Sequence, residues 1–258
     1  PPGRVVIARL LPSLSPTLAE LALMLVSDRI VLADRTRWSR KSHATRVSLT
    51  SAEDRVWIRV GVRTEDRRRP VAEVRPDPDR RWLRHAARTL RTVHSGGDYF
   101  DEYAPRLVER LEAVAAAAER GEPVLPHLLG FRGFLLSRLH LSGRLPSEIL
   151  ESDLARSEPK AGSSIEPHPV LTAPGSGRFM AHPVGAVTAE FSPVPHPSRP
   201  AGFQAWDSAL DLLLTLGPDS WTVTDRLPEA LQVPGMVGTA SGRFRVSPSR
   251  TLQPEEES

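Results

Sequence analysis

Two aspartates, Asp34 and Asp153, are candidates for acid–base chemistry. Asp34 directly follows the strand-like residues 29–33, and Asp153 follows another strand-like segment. Polar sites of α/β proteins assemble where strands end. A carboxylate there could orient or deprotonate an amine, whereas the alternative for both aspartates is a helix or turn cap.

Cationic side chains follow the first of these carboxylates. Arg40 and Arg46 could hold an anion, because a guanidinium grips carboxylate or phosphate through two hydrogen bonds, and Lys41 adds a point charge. For Arg40 and Lys41 the alternative is a solvated surface. His85 lies three residues after Trp82 on a neighbouring face of a predicted helix, which permits either a general-base role or a structural one.

Three further positions could support a site. Gly175 and Gly177, in a Gly-Ser-Gly segment, either present backbone amides to an anion or make a turn between strands. Asp211 lies inside the apolar stretch 210–214, where a buried carboxylate would need a partner such as an arginine. We expect Asp211 to support the site from behind.

Several classes of chemistry lack their residues. The sequence has no cysteine, and its eight histidines include no i, i+4 pair with an accompanying carboxylate. Thiolate chemistry is therefore excluded, and we expect no metal. No P-loop, GxGxxG or GxSxG motif occurs either, so no standard nucleotide, NAD or serine-hydrolase site and no cofactor are expected.

The charge balance bears on partners. There are 34 basic and 31 acidic residues, a net charge of +3, which with no aromatic-interleaved basic motif argues against a nucleic-acid partner. The richness in Arg, Ala and Pro is typical of a GC-rich bacterial genome.

The apolar run 18–26 is too short to span a bilayer and is predicted as a helix rather than a signal peptide. We expect a cytoplasmic protein without a membrane partner, acting on a small molecule; the oligomeric state stays open.

The first elements predict a β-α-β unit. Residues 5–7 and 29–33 are strand-like and flank a predicted helix over 15–26, with Ser15 as its cap and Pro16 in its first turn. If the strands are parallel, a polar site should lie beyond their carboxyl ends, next to Asp34. Residues 56–62 are predicted as a third strand.

The rest of the chain alternates helices, strands and polar segments. In chain order we predict helices over 79–94, 99–119 (stopped by Gly121) and 128–141, a polar insert at 155–169, strands over 170–172 and 184–191, a proline-rich connector at 193–200 and a helix over 205–216. The fold class is α/β, with a mixed or mostly parallel sheet flanked by helices and a helical middle segment. We expect one domain over residues 1–246, its insert a loop or disordered, and a disordered acidic tail at 247–258.

Motifs in the same order resemble the WbqC-like protein family. They are the segment 28–34 ending in Asp34, the basic pair Arg40-Lys41 with Arg46, Trp57, Trp82 with the aromatic segment 98–103, Glu151-Ser152-Asp153-Leu154, the glycine turn 174–179 and the helix 208–217. Two family asparagines beside Arg46 are replaced by Thr45 and Val47.

The resemblance implies a function. Members of the WbqC-like family are associated with surface-polysaccharide assembly. The resemblance therefore implies transfer of an amino acid or small acyl unit to the amino group of an amino sugar. Asp34, Asp153 and His85 would then be catalytic, and Arg40, Lys41, Arg46, Ser152, Gly175 and Gly177 would bind an anionic substrate, in a polysaccharide or natural-product pathway. The alternative is a non-catalytic ligand-binding or scaffold protein of a biosynthetic cluster.

Overall fold

The structure is a computed structural model that describes residues 5–50, 55–157, 170–174, 186–234, 236–238 and 244–246. Its helices are α1 (Leu18–Val26), α2 (Arg81–His94), α3 (Phe100–Arg120), α4 (Leu125–Arg138), α5 (Glu151–Ser157), α6 (Ala209–Leu216), α7 (Trp221–Thr224) and α8 (Leu227–Ala230). Its strands are β1 (Ile7–Leu10), β2 (Arg29–Leu32), β3 (Arg46–Thr50), β4 (Arg55–Arg59), β5 (Glu148–Leu150), β6 (Val170–Thr172), β7 (Val187–Thr188), β8 (Glu190–Phe191), β9 (Val194–His196), β10 (Arg199–Phe203), β11 (Leu231–Gln232), β12 (Met236–Gly238) and β13 (Phe244–Val246).

A parallel sheet organises the described chain. Strands β5, β2, β1, β6 and β7 lie side by side in that order, and every neighbouring pair is parallel. The first β-α-β unit is in place, with Ile7 opposite Arg29 and Leu10 opposite Leu32. The predicted α/β class is therefore confirmed, with helices flanking a mostly parallel sheet.

Helix α1 begins later than predicted, after Thr17. The Thr17 hydroxyl accepts the N–H of Glu20 at 3.2 Å, and the Glu20 carboxylate accepts the N–H of Thr17 at 2.8 Å. This capping box satisfies two helix-end donors at once, so the prediction that Ser15 caps the helix is wrong. The Ser15 hydroxyl instead accepts the N–H of Leu210 at 3.1 Å, which ties the loop after β1 to the start of α6.

The helical middle segment is confirmed. Helices α2, α3 and α4 follow one another over residues 81–138, close to the predicted spans. Gly121 ends α3 in the left-handed conformation, with φ of 71°, which glycine adopts without the strain of a side chain.

Strands β3 and β4 form a hairpin separate from the parallel sheet. The strand predicted over 56–62 is β4, which ends at Arg59, and its partner β3 was not predicted. Opposed residues of an antiparallel pair share a face, and one face of this hairpin is apolar and buried through Val47, Leu49 and Ile58. The other face is polar.

Three predictions for the second half need correction. Residues 155–157, predicted as the start of a polar insert, close helix α5, while 158–169 lie outside the described residues. The single strand expected over 184–191 corresponds, in its described part 186–191, to two short strands in different sheets. The proline-rich segment 193–200, predicted as a connector, instead belongs to the hairpin β9–β10. Proline is compatible with this position because edge strands tolerate a residue that has no backbone N–H.

The last predicted helix is α6, which begins at Ala209 rather than at 205 because the Ser208 hydroxyl accepts the N–H of Asp211. The predicted acidic tail, 247–258, lies outside the described residues. Among the residues with described structure, no helix is both long and apolar enough to cross a membrane.

Candidate functional site

Asp34 lies at the carboxyl edge of the parallel sheet, directly after β2. Its side chain is fully buried, and Oδ1 accepts the backbone N–H of Ser152 at 3.0 Å. Oδ2 has no hydrogen-bond partner among the described residues. Since β2 and β5 are parallel neighbours, their carboxyl ends meet at one edge, and this contact joins two candidates that are 118 positions apart.

The burial of Asp34 decides what it can do. Its exposed fraction of 0% leaves a substrate no surface to touch in this conformation, and its Oδ1 already holds the Ser152 amide. Asp153 is the next residue in the first turn of α5, and its side chain is half-buried. Asp153 is therefore more accessible than Asp34 at this edge.

Two ion pairs that were not predicted from the sequence involve residues of β5 and α5. Arg9 in β1 donates to both carboxylate oxygens of Glu151, at 3.0 and 3.1 Å. Arg132 in α4 is 1% exposed and contacts Glu148 Oε1 through Nε at 3.0 Å and Nη2 at 2.7 Å. A buried guanidinium needs such a partner. Arg9 thereby joins β1 to α5, and Arg132 joins α4 to β5.

The polar face of the β3–β4 hairpin carries three arginines and a tryptophan. Arg46 lies opposite Arg59, and Arg55 and Trp57 alternate with Arg59 along β4 on the same side. We call Arg46, Arg55, Trp57 and Arg59 the arginine face. The Arg46 guanidinium stacks on the Trp57 ring, with Cζ 4.0 Å from the ring centroid. Such stacking holds a cation in place without neutralising it.

Among the described residues, two cations of the arginine face have no acidic partner. The Nε atoms of Arg46 and Arg59 are buried and have no hydrogen-bond partner among the described residues. No ion pair within the described chain joins either guanidinium to a carboxylate. Two neighbouring cations without a counter-charge make a site that an anion would stabilise.

The pKa shifts reflect the same crowding. Burial lowers the pKa of Arg46, and the charges of Arg59 and Arg55 lower it further. The pKa of Arg59 is lowered by burial and then by Arg40. Burial, Arg46 and Arg55 lower the pKa of His43 to about 4, so His43 is neutral near pH 7.

Arg40 is exposed but close enough to act electrically on Arg59. Lys41 is exposed in the same loop. The structure thus brings Arg46 and Arg40 into one cationic region, whereas Lys41 is a solvated neighbour in the loop.

Asp211 has the arginine partner that its burial required. It is Arg199 in β10, whose Nη2 donates to Asp211 Oδ2 at 2.7 Å. The Asp211 carboxylate also accepts the N–H of Thr50 at 3.0 Å and lies 3.2 Å from His94 Nε2. Burial alone would raise the pKa of Asp211, but the contacts with His94 and Arg199 hold it below its usual range.

Arg199 also contacts Asp207 at 2.7 Å. Since Thr50 ends β3, the network of Asp211, Arg199, Asp207 and Thr50 anchors the hairpin that bears the arginine face. Asp211 therefore contacts the strand that presents Arg46, rather than Arg46 itself.

The remaining candidates lie elsewhere or outside the described residues. His85 is exposed on α2 and lies 3.5 Å from the Thr89 hydroxyl. Within the described chain, no hydrogen bond or ion pair connects it to Asp34 or Arg46. Gly175 and Gly177 fall outside the described residues.

Residues 12–117 match the model of the WbqC-like protein family. This part of the chain is similar to that family. The matched region includes Asp34, the arginine face and His85, while Ser152, Asp153 and Asp211 lie beyond it. The chain matches no curated protein and no solved structure.

The sequence contained a signal for part of what was missed. The alternation in Arg55-Val56-Trp57-Ile58-Arg59 places both arginines on one face once a strand is assigned. The partner strand, and therefore the pairing of Arg59 with Arg46, depended on recognising β3.

Proposed function

We propose that this protein holds an anionic small molecule on the arginine face and transfers an amino acid or small acyl unit to an amino group, forming an amide. The observation that carries the proposal is the pair of half-buried side chains of Arg46 and Arg59, which are cross-strand neighbours without a carboxylate partner in the described chain. Keeping two cations together without a counter-charge costs stability, and a bound anion repays it.

The amide-forming step follows from the resemblance of residues 12–117 to the WbqC-like family. In such a transfer the amine nitrogen attacks the acyl carbon, the bond to the leaving group breaks, and a base takes up the amine proton. Asp153 is our candidate base because it is half-buried at the start of α5, whereas Asp34 is enclosed and fixes the neighbouring Ser152. The choice of an amino sugar as the acceptor rests on the family resemblance alone.

A non-catalytic binding or scaffold protein is the second candidate. The enclosed carboxylate of Asp34 favours it, since a carboxylate with an exposed fraction of 0% does not touch a substrate. The exposed position of His85, without a contact to the arginine face in the described chain, favours it too.

Mass spectrometry of small molecules that co-purify with the protein tests the proposal. We expect the wild type to retain an anion that the double variant Arg46→Met/Arg59→Met does not. Methionine keeps much of the aliphatic stem and removes the charge. Equal retention by both proteins would refute the arginine face as the binding site.

An incubation with a low-molecular-weight cell extract then distinguishes the transferase from the binding protein. Incubated with low-molecular-weight extract, the wild type should increase the mass of an amine acceptor by one acyl unit, and Asp153→Asn should retain the anion but form less amide. Anion retention without any amide formation would overturn the transferase in favour of the binding protein.

A further inference from the structure

A second tryptophan stands beside the arginine face. Trp206 is 44% exposed, and the Arg55 guanidinium lies between the two rings, with Cζ 4.8 Å from the Trp206 centroid and 5.9 Å from the Trp57 centroid. A large aromatic side chain that stays open to solvent next to a cation is a platform on which another planar ring can stack.

The backbone beneath Trp206 is held firmly. Its carbonyl accepts the Ser48 hydroxyl at 3.0 Å. The next residue, Asp207, accepts the Thr50 hydroxyl at 2.9 Å and the N–H of Gln204 at 2.7 Å. Ser48 and Thr50 belong to β3, so the same strand positions Arg46 and the Trp206 backbone. The ring is exposed on a fixed support, which lowers the entropy cost of using it.

The geometry points to a nucleoside phosphate as the ligand: Arg46 and Arg59 hold its phosphates, and its base stacks on Trp206 beside Arg55. This inference rests on the proposed anion site and adds the chemical class of the anion. A phosphate group offers the multiple negative charges that two adjacent guanidiniums favour, and every base has a flat face for an indole. A P-loop is not needed, because side chains rather than backbone amides meet the phosphates.

The charge of the chain favours a small ligand over a polymer. Its net charge is only +3, and the arginine face has three arginines with Arg40 and Lys41 near it. A nucleic acid needs a longer track of cations along its backbone. We therefore assign a mononucleoside ligand, and treat single-stranded nucleic acid as an outcome that would overturn this.

Calorimetric titration with pyrophosphate, ADP and UDP tests the stacking subsite. We expect the nucleotides to bind the wild type at least about fivefold more tightly than pyrophosphate, which is the lower end of the range for stacking one base on an aromatic side chain. Trp206→Leu should reduce nucleotide affinity to the level of pyrophosphate and leave pyrophosphate affinity unchanged. Trp206→Phe keeps a ring and should retain part of the advantage.

Trp221 supplies the matched control. It is 56% exposed in α7, and among the described residues no ring or cation contact joins it to the arginine face, so Trp221→Leu should alter neither ligand's affinity. Circular dichroism checks that each variant is folded.

Three results would overturn the inference in distinguishable ways. Equal affinity for pyrophosphate and nucleotides, unchanged by Trp206→Leu, removes the stacking subsite and leaves the anion site standing. Affinity for oligothymidylate that grows with its length would show a nucleic-acid surface instead. No binding of pyrophosphate or nucleotide by the wild type would remove the anion site and this inference together.

Discussion

Replacing Arg199 with methionine should destabilise the protein strongly. Arg199 contacts Asp207 and Asp211 at 2.7 Å each, and the side chains of these two aspartates are 2% and 0% exposed. Methionine keeps part of the stem that packs over Phe203, where the guanidinium lies 4.4 Å from the ring centroid. The substitution therefore removes mainly the charge that two buried carboxylates share.

The expected loss follows from what each carboxylate keeps. Asp211 retains the N–H of Thr50 and the contact with His94, and Asp207 retains the Thr50 hydroxyl and the N–H of Gln204. Breaking a buried pair typically costs about 3–5 kcal/mol. Because these hydrogen bonds remain, we expect about 3 kcal/mol, the lower end.

Urea unfolding followed by circular dichroism measures this loss. The matched control is Arg144→Met, since Arg144 pairs with Asp225 at the surface, with side chains 42% and 51% exposed. An exposed pair contributes at most about 1 kcal/mol. If Arg199→Met loses no more than Arg144→Met, the network does not anchor the hairpin and our reasoning about Asp211 is wrong.

The same network predicts an acid dependence. In the folded protein the pKa of Asp211 lies below its ordinary value of 3.8. Its contribution to stability is therefore complete above that ordinary value and is lost as the pH falls through the lower folded value. Stability measured against pH should show a smaller loss over this range in Arg199→Met than in the wild type.

Substitutions at three other positions test the site. Arg46→Met should leave the free energy of unfolding unchanged or slightly higher, because it removes repulsion with Arg59; a urea-measured loss of several kcal/mol would reveal a buried partner. Asp34→Ala should lower the free energy of unfolding by about 1–3 kcal/mol in the same assay, because it leaves the Ser152 N–H without its acceptor. Asp34→Asn should lower it less, because an amide oxygen can still accept. His43 should titrate near pH 4 by NMR, so stability should decline on acidification from about pH 6.5 towards 4, and His43→Gln should flatten that decline.

The sequence predicted the elements whose signals are local. Apolar spacing located the middle helices, and β-branched runs flanking one helix predicted the parallel unit that ends at Asp34. The meeting of Asp34 with Ser152 follows from the same rule, because the carboxyl ends of β2 and β5 share an edge.

What the sequence did not predict depends on distant partners. Arg199 stands in a proline-rich segment that has no strand pattern, and it acquires its role only when β10 meets the buried face of α6. Strand β3 is short and mixed in polarity. The sequence therefore does not predict that Arg46 lies opposite Arg59 across the hairpin. The cap at Thr17 displaced Ser15 because a glutamate three residues later completes the capping box.

Calorimetric titration of pyrophosphate into the wild type, Arg46→Met and Arg59→Met tests the central claim most directly. Losing one charged contact should weaken binding by about 1.5–3 kcal/mol, or roughly tenfold or more. Arg88→Met, at an exposed position on α2, should bind as the wild type does. If the wild type binds no pyrophosphate, or if both hairpin variants bind it as tightly as Arg88→Met does, the arginine face is not an anion site.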